Sequence, residues 1–210
     1  MNQQKIISIG IVEDSIERMT FKLLKEILTM YNYNIYYENK EKNIAILTKE
    51  NNNIILMDIR PNIFNSIVDI GIEYNILVHT FLHPKEYENE KLKKMFKTSK
   101  HIIVNCDECN LTSILEDNIE SLVITYGFNN KATLNPSSYN IHDLIEANIC
   151  LQREIRTINN DIIEPFELPV KINSQNKVDI YSTLGVIASV LLLGIDISSV
   201  NPFTIFNSNK

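Results

Sequence analysis

"GIVEDSIERMT", residues 10–20, lies where an apolar run, Lys5 to Ile11, gives way to an amphipathic stretch. The run reads as a buried strand over residues 5–12. From Ile16 onward, Met19, Leu23, Leu24, Ile27, Leu28 and Tyr31 recur at helical spacing. A strand, a short loop and the start of a helix form the arrangement that cradles phosphate in nucleotide-binding proteins. This loop has neither a second glycine nor a lysine. The stretch predicts an α/β fold and lacks the residues that would make it work as a phosphate loop.

Downstream, "NIAILTK" (43–49), "NIILMDI" (53–59) and "NILVHTF" (75–81) each read as strands. The charged "PKEYENEKLKKMFKTSK" (84–100) predicts a helix with Pro84 in its first turn. "HIIVN" (101–105), a short helix around Leu111 to Glu116 and "SLVITYG" (121–127) continue the alternation, which predicts a mostly parallel sheet flanked by helices. After Gly127 the alternation stops. Three β-like runs, near 132–141, 146–155 and 161–172, follow without a helix between them, with Asn159-Asn160 as a turn, and predict a small antiparallel appendage. "VDIYSTLGVIASVLLLGID" closes the chain with a nearly all-apolar helix, from about Val178 to Leu193, that must be buried on most sides and is stopped by Gly194. With no internal repeat and no linker, the expected organisation is one domain. Residues 1–127 form its parallel α/β part, 128–175 its antiparallel strands, 176–196 its closing helix and 197–210 a tail.

The 210 residues are 44% hydrophobic and 22% charged, enough for one sizeable core. A net charge of −6 with no basic block or basic helix face argues against nucleic acid as a partner. The N-terminal "MNQQKIISIG" has no signal-peptide pattern, and the longest apolar run, near Val186 to Ile195, is too short to cross a bilayer, so a cytoplasmic protein without membrane insertion is expected. Cys106, Cys109 and Cys150 are odd in number, and no disulfide framework is expected. The Cys106/Cys109 pair would hold zinc only if the fold gathered further ligands such as Cys150 and His101. His79, His83 and His101 show no triad or metal partner in the sequence pattern.

The order of elements and several short motifs together resemble the central ATP-binding domain of the Mur ligase family, a P-loop NTPase-like fold. Its enzymes add amino acids to peptidoglycan precursors. "GIVEDSIERMT" lies without a gap on the family's G-I-T-G-T-N-G-K-T-T-T loop. "ILMDI" (55–59) lies on the strand carrying the family's metal-binding glutamate, with Asp58 at that position. "HIIVNCDE" matches a strand ending V-N-x-D-D through Asn105, Asp107 and Glu108; "TYG" (125–127) matches a strand-end Y-G. The final helix resembles H-N-x-x-N-x-x-A-A, with Asp179 and Ser182 where asparagines are usual. Lys91, four residues after Tyr87, holds the spacing of the family's carbamylated, magnesium-supporting lysine, although the loop before it is shorter. The resemblance spans nearly the whole chain and implies a degenerate central domain without the family's N- and C-terminal domains.

On that alignment Glu13, Asp14, Ser15, Glu17, Arg18 and Thr20 occupy the remnant phosphate loop, and Asp58 and Lys91 the metal positions. Glu13 and Ile16 stand where the family has glycine, and a side chain forced to positive φ there costs about 1–2 kcal/mol. Glu17 stands at the lysine position. Turning an attraction into a repulsion near 4 Å swings the interaction by about 2 kcal/mol in water and about 8 at an effective dielectric of 20. Asp14-Ser15-Ile16-Glu17 also has the spacing of a capping box, in which Asp14 and Glu17 satisfy each other's backbone N–H groups at the helix start. The expectation is a pseudoenzyme that binds no cofactor and acts by binding, scaffolding or regulation with a protein partner, or as a homodimer; the resemblance points to envelope or spore assembly. The alternative is the nucleotide-binding half of a split ligase, with ATP and magnesium, forming amide bonds with a partner chain.

Overall fold

Lys5–Val12 forms β1, whose Ile7, Ile9, Ile11 and Val12 are buried. The computed structural model describes residues 5–15, 17–69, 71–115, 120–197 and 203–205. Helix α1, Met19–Met30, buries Phe21, Leu23, Leu24, Ile27 and Leu28 on one face, as the 3.6-residue spacing requires. The chain then runs out to β2 (Asn34–Asn39), turns back through β3 (Ile44–Lys49) and enters β4 (Asn52–Ile59), each antiparallel to the last. β4 lies parallel to β1, from Lys5 opposite Asn52 to Val12 opposite Ile59. A 3-10 turn (Pro61–Ile63) and α2 (Phe64–Asp69) lead to β5 (Ile76–His79) on the other side of β1. β1 is therefore the strand at which the winding reverses.

The expected helix over 84–100 is broken in two. Pro84–Glu88 is a 3-10 turn, and α3 spans only Glu90–Thr98. Between them Asn89 is extended, and its side-chain oxygen accepts from the N–H of Lys91 (2.9 Å) and Leu92 (3.4 Å), starting the helix afresh. Asn89→Ala should lower unfolding free energy by about 1 kcal/mol, the typical worth of such a cap. Equilibrium urea unfolding checks this: a shift in midpoint without a change in slope is expected.

β6 (His101–Asn105), α4 (Thr112–Leu115) and β7 (Leu122–Tyr126) complete the parallel centre, in the order β4-β1-β5-β6-β7. β8 (Leu134–Ile141) joins β7 by a single parallel bridge, Tyr126 to Leu134, and β9 (Ile145–Leu151) returns antiparallel. The short β10 (Ile155–Arg156) and β11 (Ile162–Ile163) form a separate two-stranded antiparallel sheet around a turn with Asn160 at φ 68°. β12 (Phe166–Ile172) then pairs antiparallel with β9. The late strands thus add an antiparallel appendage to the edge of the parallel centre, as expected, while the runs expected at 146–155 and 161–172 are each interrupted. After α5 (Val178–Leu192), β13 (Phe203–Ile205) pairs parallel with β12 and brings the sheet to 11 strands among the described residues. Glu116 and most of the expected tail lie outside the described residues.

Helices cover both faces of the parallel centre. α1 and α5 pack together in one core; α2, α3 and α4 bury Phe64, Ile67, Leu92, Phe96 and Ile114 in the other. α5 is buried almost all round because it lies against α1 on one side and over β5 to β8 on another. Among the described residues no helix is long and apolar enough to cross a membrane.

Candidate functional site

In doubly wound sheets, ligands sit beyond the carboxyl ends of the strands where the winding reverses. Here that place is the loop after β1, flanked by the ends of β4 and β5. Glu13, the first residue past β1, is only 2% exposed. One of its carboxylate oxygens accepts from Ser15 Oγ at 2.8 Å and the other from the N–H of Thr20 at 3.3 Å, in the first turn of α1. Ser15 Oγ in turn accepts from the Arg18 N–H at 3.1 Å. The Asp14 N–H donates to Phe81 O at 2.8 Å, tying the loop to the segment after β5. A helix start carries unpaired N–H groups and positive partial charge, the features that attract phosphate. In this chain Glu13's own carboxylate takes that position.

The capping box expected from Asp14 and Glu17 does not form. The helix starts later, at Met19, with Arg18 in the left-handed region (φ 52°, ψ 44°) and no side-chain cap from it. Asp14 and Glu17 are exposed. Glu13 reaches the helix start because its side chain points inward from the strand end, where α1 is the element within reach. Burial raises the pKa of its carboxyl, opposed by the bonds from Ser15 and Thr20 and reinforced by the charge of Asp58. Ile16 lies outside the described residues.

Asp58, at the end of β4, is buried, and its Oδ2 collects three groups. Arg18 Nε and Arg60 Nε each lie at 3.4 Å and Asn43 Nδ2 at 3.2 Å, while Oδ1 has no partner among the described residues. Burial pushes this carboxyl's pKa up, and the guanidiniums of Arg60 and Arg18 pull it back. Arg60 also donates from Nη2 to Ser15 O at 3.1 Å, joining the two halves of the site. Arg18 therefore compensates Asp58, not the loop carboxylate.

Magnesium takes about six oxygen ligands in octahedral array. Asp58 offers one carboxylate whose Oδ2 is shared by two guanidiniums, and Lys91 sits half-buried on the first turn of α3, outside Asp58's set of partners. Among the described residues no three His, Cys, Asp or Glu side chains are placed to hold a metal ion, Cys106 and Cys109 included. The charge of Asp58 is thus already matched by two guanidiniums, and Glu13 and Glu17 put negative charge on the loop where a triphosphate would call for positive.

Behind this edge lies a buried polar chain that the sequence pattern does not reveal. Tyr87 donates to Glu108 Oε2 at 2.9 Å and contacts His79 Nε2 at 2.9 Å. Tyr87 has one proton to give, so His79 donates from Nε2, and its Nδ1 is without a partner among the described residues. Burial drives the His79 imidazole down to about 3, which keeps it neutral. Asn105 donates to Thr80 O at 3.2 Å. Asp107 accepts from the N–H groups of Phe128 (2.6 Å) and Asn129 (3.2 Å) and from Tyr181 Oη (3.0 Å). A Cβ on Gly127 would come within 2.7 Å of that Asp107 carboxylate, at a φ of 150°. The residues matched on "HIIVNCDE" thus brace the loops around the site.

The fold is Mur ligase-like. A MurF ligase from Thermotoga maritima, solved in complex with ADP, superposes with a TM-score of 0.57 at 13% identity over 93% of this chain and 48% of that one. A murein peptide ligase, Mpl, from Psychrobacter arcticus 273-4 gives 0.63 at 11% identity, over 93% of this chain and 45% of that one. The chain spans less than half the length of either. No family model and no curated protein matches the sequence.

Proposed function

We propose that this chain uses a Mur ligase-like fold to bind a ligand or protein partner and does not bind or hydrolyse ATP. The observation that carries this reading is the Glu13 carboxylate, buried and hydrogen-bonded to the first turn of α1 where a phosphate would otherwise sit. The two guanidiniums on Asp58 support it, since they replace a metal's charge with fixed side chains. A partner is favoured by edge strand β2, which leaves Ile35, Tyr36 and Tyr37 exposed, as strands open to pairing do. The likeness in fold to a MurF ligase and a murein peptide ligase supports a setting in the assembly of the cell envelope.

Calorimetric titration with Mg-ATP and with a non-hydrolysable analogue tests the reading. No heat and no rise in melting temperature at millimolar nucleotide is the expected result. A ligand present at a hundred times its Kd contributes about 2.7 kcal/mol to stability, so micromolar binding would be plain in both measurements. Such binding would overturn the reading and turn attention to a partner chain that completes an amide ligase.

A further inference from the structure

Between the turn at residues 41–44 and the 3-10 turn at 61–63 lies a cleft of about 410 Å³ that Glu13 does not line. Small-molecule sites run from roughly 300 to 1,000 Å³. Arg18, Lys42 and Arg60 bring three cations to it, against the carboxylates of Glu41 and Asp58. Asp58 is already engaged with both guanidiniums. The cleft is therefore locally positive in a chain of net charge −6. Beside the cations, Ile44, Met57 and Ile63 form an apolar wall.

A guanidinium carries five N–H donors. Arg18 meets Asp58 through Nε, and Arg60 uses Nε and Nη2. Neither Nη atom of Arg18, nor Nη1 of Arg60, has a hydrogen bond among the described residues. The shared oxygen, Asp58 Oδ2, brings the two guanidiniums together. Arg18 keeps this place despite its left-handed backbone, a conformation that costs a residue with a side chain about 1–2 kcal/mol. Strain of this kind concentrates at ligand sites.

We propose that the cleft binds a small amphipathic carboxylate, its carboxylate docked on the paired guanidiniums of Arg18 and Arg60 and its short aliphatic body against Ile44, Met57 and Ile63. A planar carboxylate matches a guanidinium fork bidentately. The apolar wall adds nothing for a bare inorganic anion, and Glu41 and Asp58 repel a second negative charge. The proposal gives the binding reading above a ligand and rests on that reading for its purpose, while the Glu13 carboxylate itself takes no part in the docking.

Titration of the full chain with hexanoate, followed by calorimetry and backbone amide NMR, tests it. Saturable binding with shifts at residues 41–44, 60, 62 and 63 is expected, with hexylamine and inorganic phosphate at least about tenfold weaker, the factor that 1.4 kcal/mol makes. Arg60→Met should weaken hexanoate by about tenfold as well. Should that variant fail to fold, Lys42→Glu, which leaves every Asp58 contact in place, should still weaken binding several-fold. Equal responses to hexanoate and hexylamine, no saturation at tens of millimolar, or unchanged affinity in both variants would overturn the proposal. Mg-ATP heat alongside hexanoate binding would sink the ATP-free reading and leave this one standing. Silence to both would do the reverse.

Discussion

The double variant Arg18→Ala/Arg60→Ala should unfold about 3 kcal/mol more easily than the natural chain. Removing the partners of a buried charge typically costs about 3–5 kcal/mol, because the charge left behind has lost both water and compensation. The low end applies here: the side chains of Arg18 and Arg60 are 25% and 32% exposed, so solvent screens part of their attraction, while that of Asp58 is only 2% exposed. The pH dependence carries the sharper signature. Burial already raises the Asp58 carboxyl in the folded state, and the arginines oppose that rise. Without them the folded pKa climbs further above the unfolded value. A group raised in this way is least harmful when protonated, so the deficit should be small near pH 4 and should grow as pH rises through the folded pKa. Adding Asp58→Asn to the pair should recover most of the loss near neutrality. Urea unfolding at a series of pH values checks this. A deficit that stays flat with pH, or that Asp58→Asn leaves untouched, would show that the guanidiniums act by packing and not by charge.

The parts of the fold that declare themselves in sequence are those whose burial is one-sided or complete. β1, β4, β5 and β6 read as continuous apolar runs because both faces of the parallel centre are covered by helices, and α5 reads as a buried helix because almost nothing polar interrupts it. β2 is hidden for the opposite reason. "NIYYEN" lies at the sheet edge, is largely exposed and is offset by a bulge between Ile35 and Tyr37, so it has no clean alternation. The site divides in the same way. That a carboxylate occupies the helix start is legible in the absent lysine and the acidic loop. Which carboxylate does so is not, because the spacing of Asp14 and Glu17 satisfies a local rule, whereas the bond from the Asp14 N–H to Phe81 O, across the sheet, belongs to the three-dimensional fold. Arg60 is invisible to local reading for the same cause: it meets Ser15 from 45 residues away.

Leu184→Ala should be the most damaging single change in the closing helix. Leu184 is 0% exposed within the core that joins α1 to α5 and the sheet. Truncating a buried leucine loses its transfer energy and leaves a cavity that close-packed neighbours fill only in part, together costing about 2–5 kcal/mol. The loss should sit at the upper end, because α5 is walled on two sides. Its neighbours α1, β6 and β7 are pinned by their own packing, and Gly185, the next residue along, already brings the helix so close to Tyr126 that a Cβ there would lie 3.1 Å from its hydroxyl. Little room remains for the helix to settle into the gap. A domain of this size loses about 2–4 °C of melting temperature per kcal/mol, so calorimetry should show a drop near 10 °C or more. Val178→Ala, at the exposed start of the same helix, removes a similar group from a residue that is 45% exposed and should change stability by no more than about 0.5 kcal/mol. If the two variants melt alike, α5 is not the buried wall on which the core it shares with α1 rests. Because Tyr181 of α5 holds Asp107 and Tyr126 beneath it holds the His79 carbonyl, a shifted α5 should also loosen the loops around Glu13, with faster amide exchange at Phe128 and Asn129 than at Lys91.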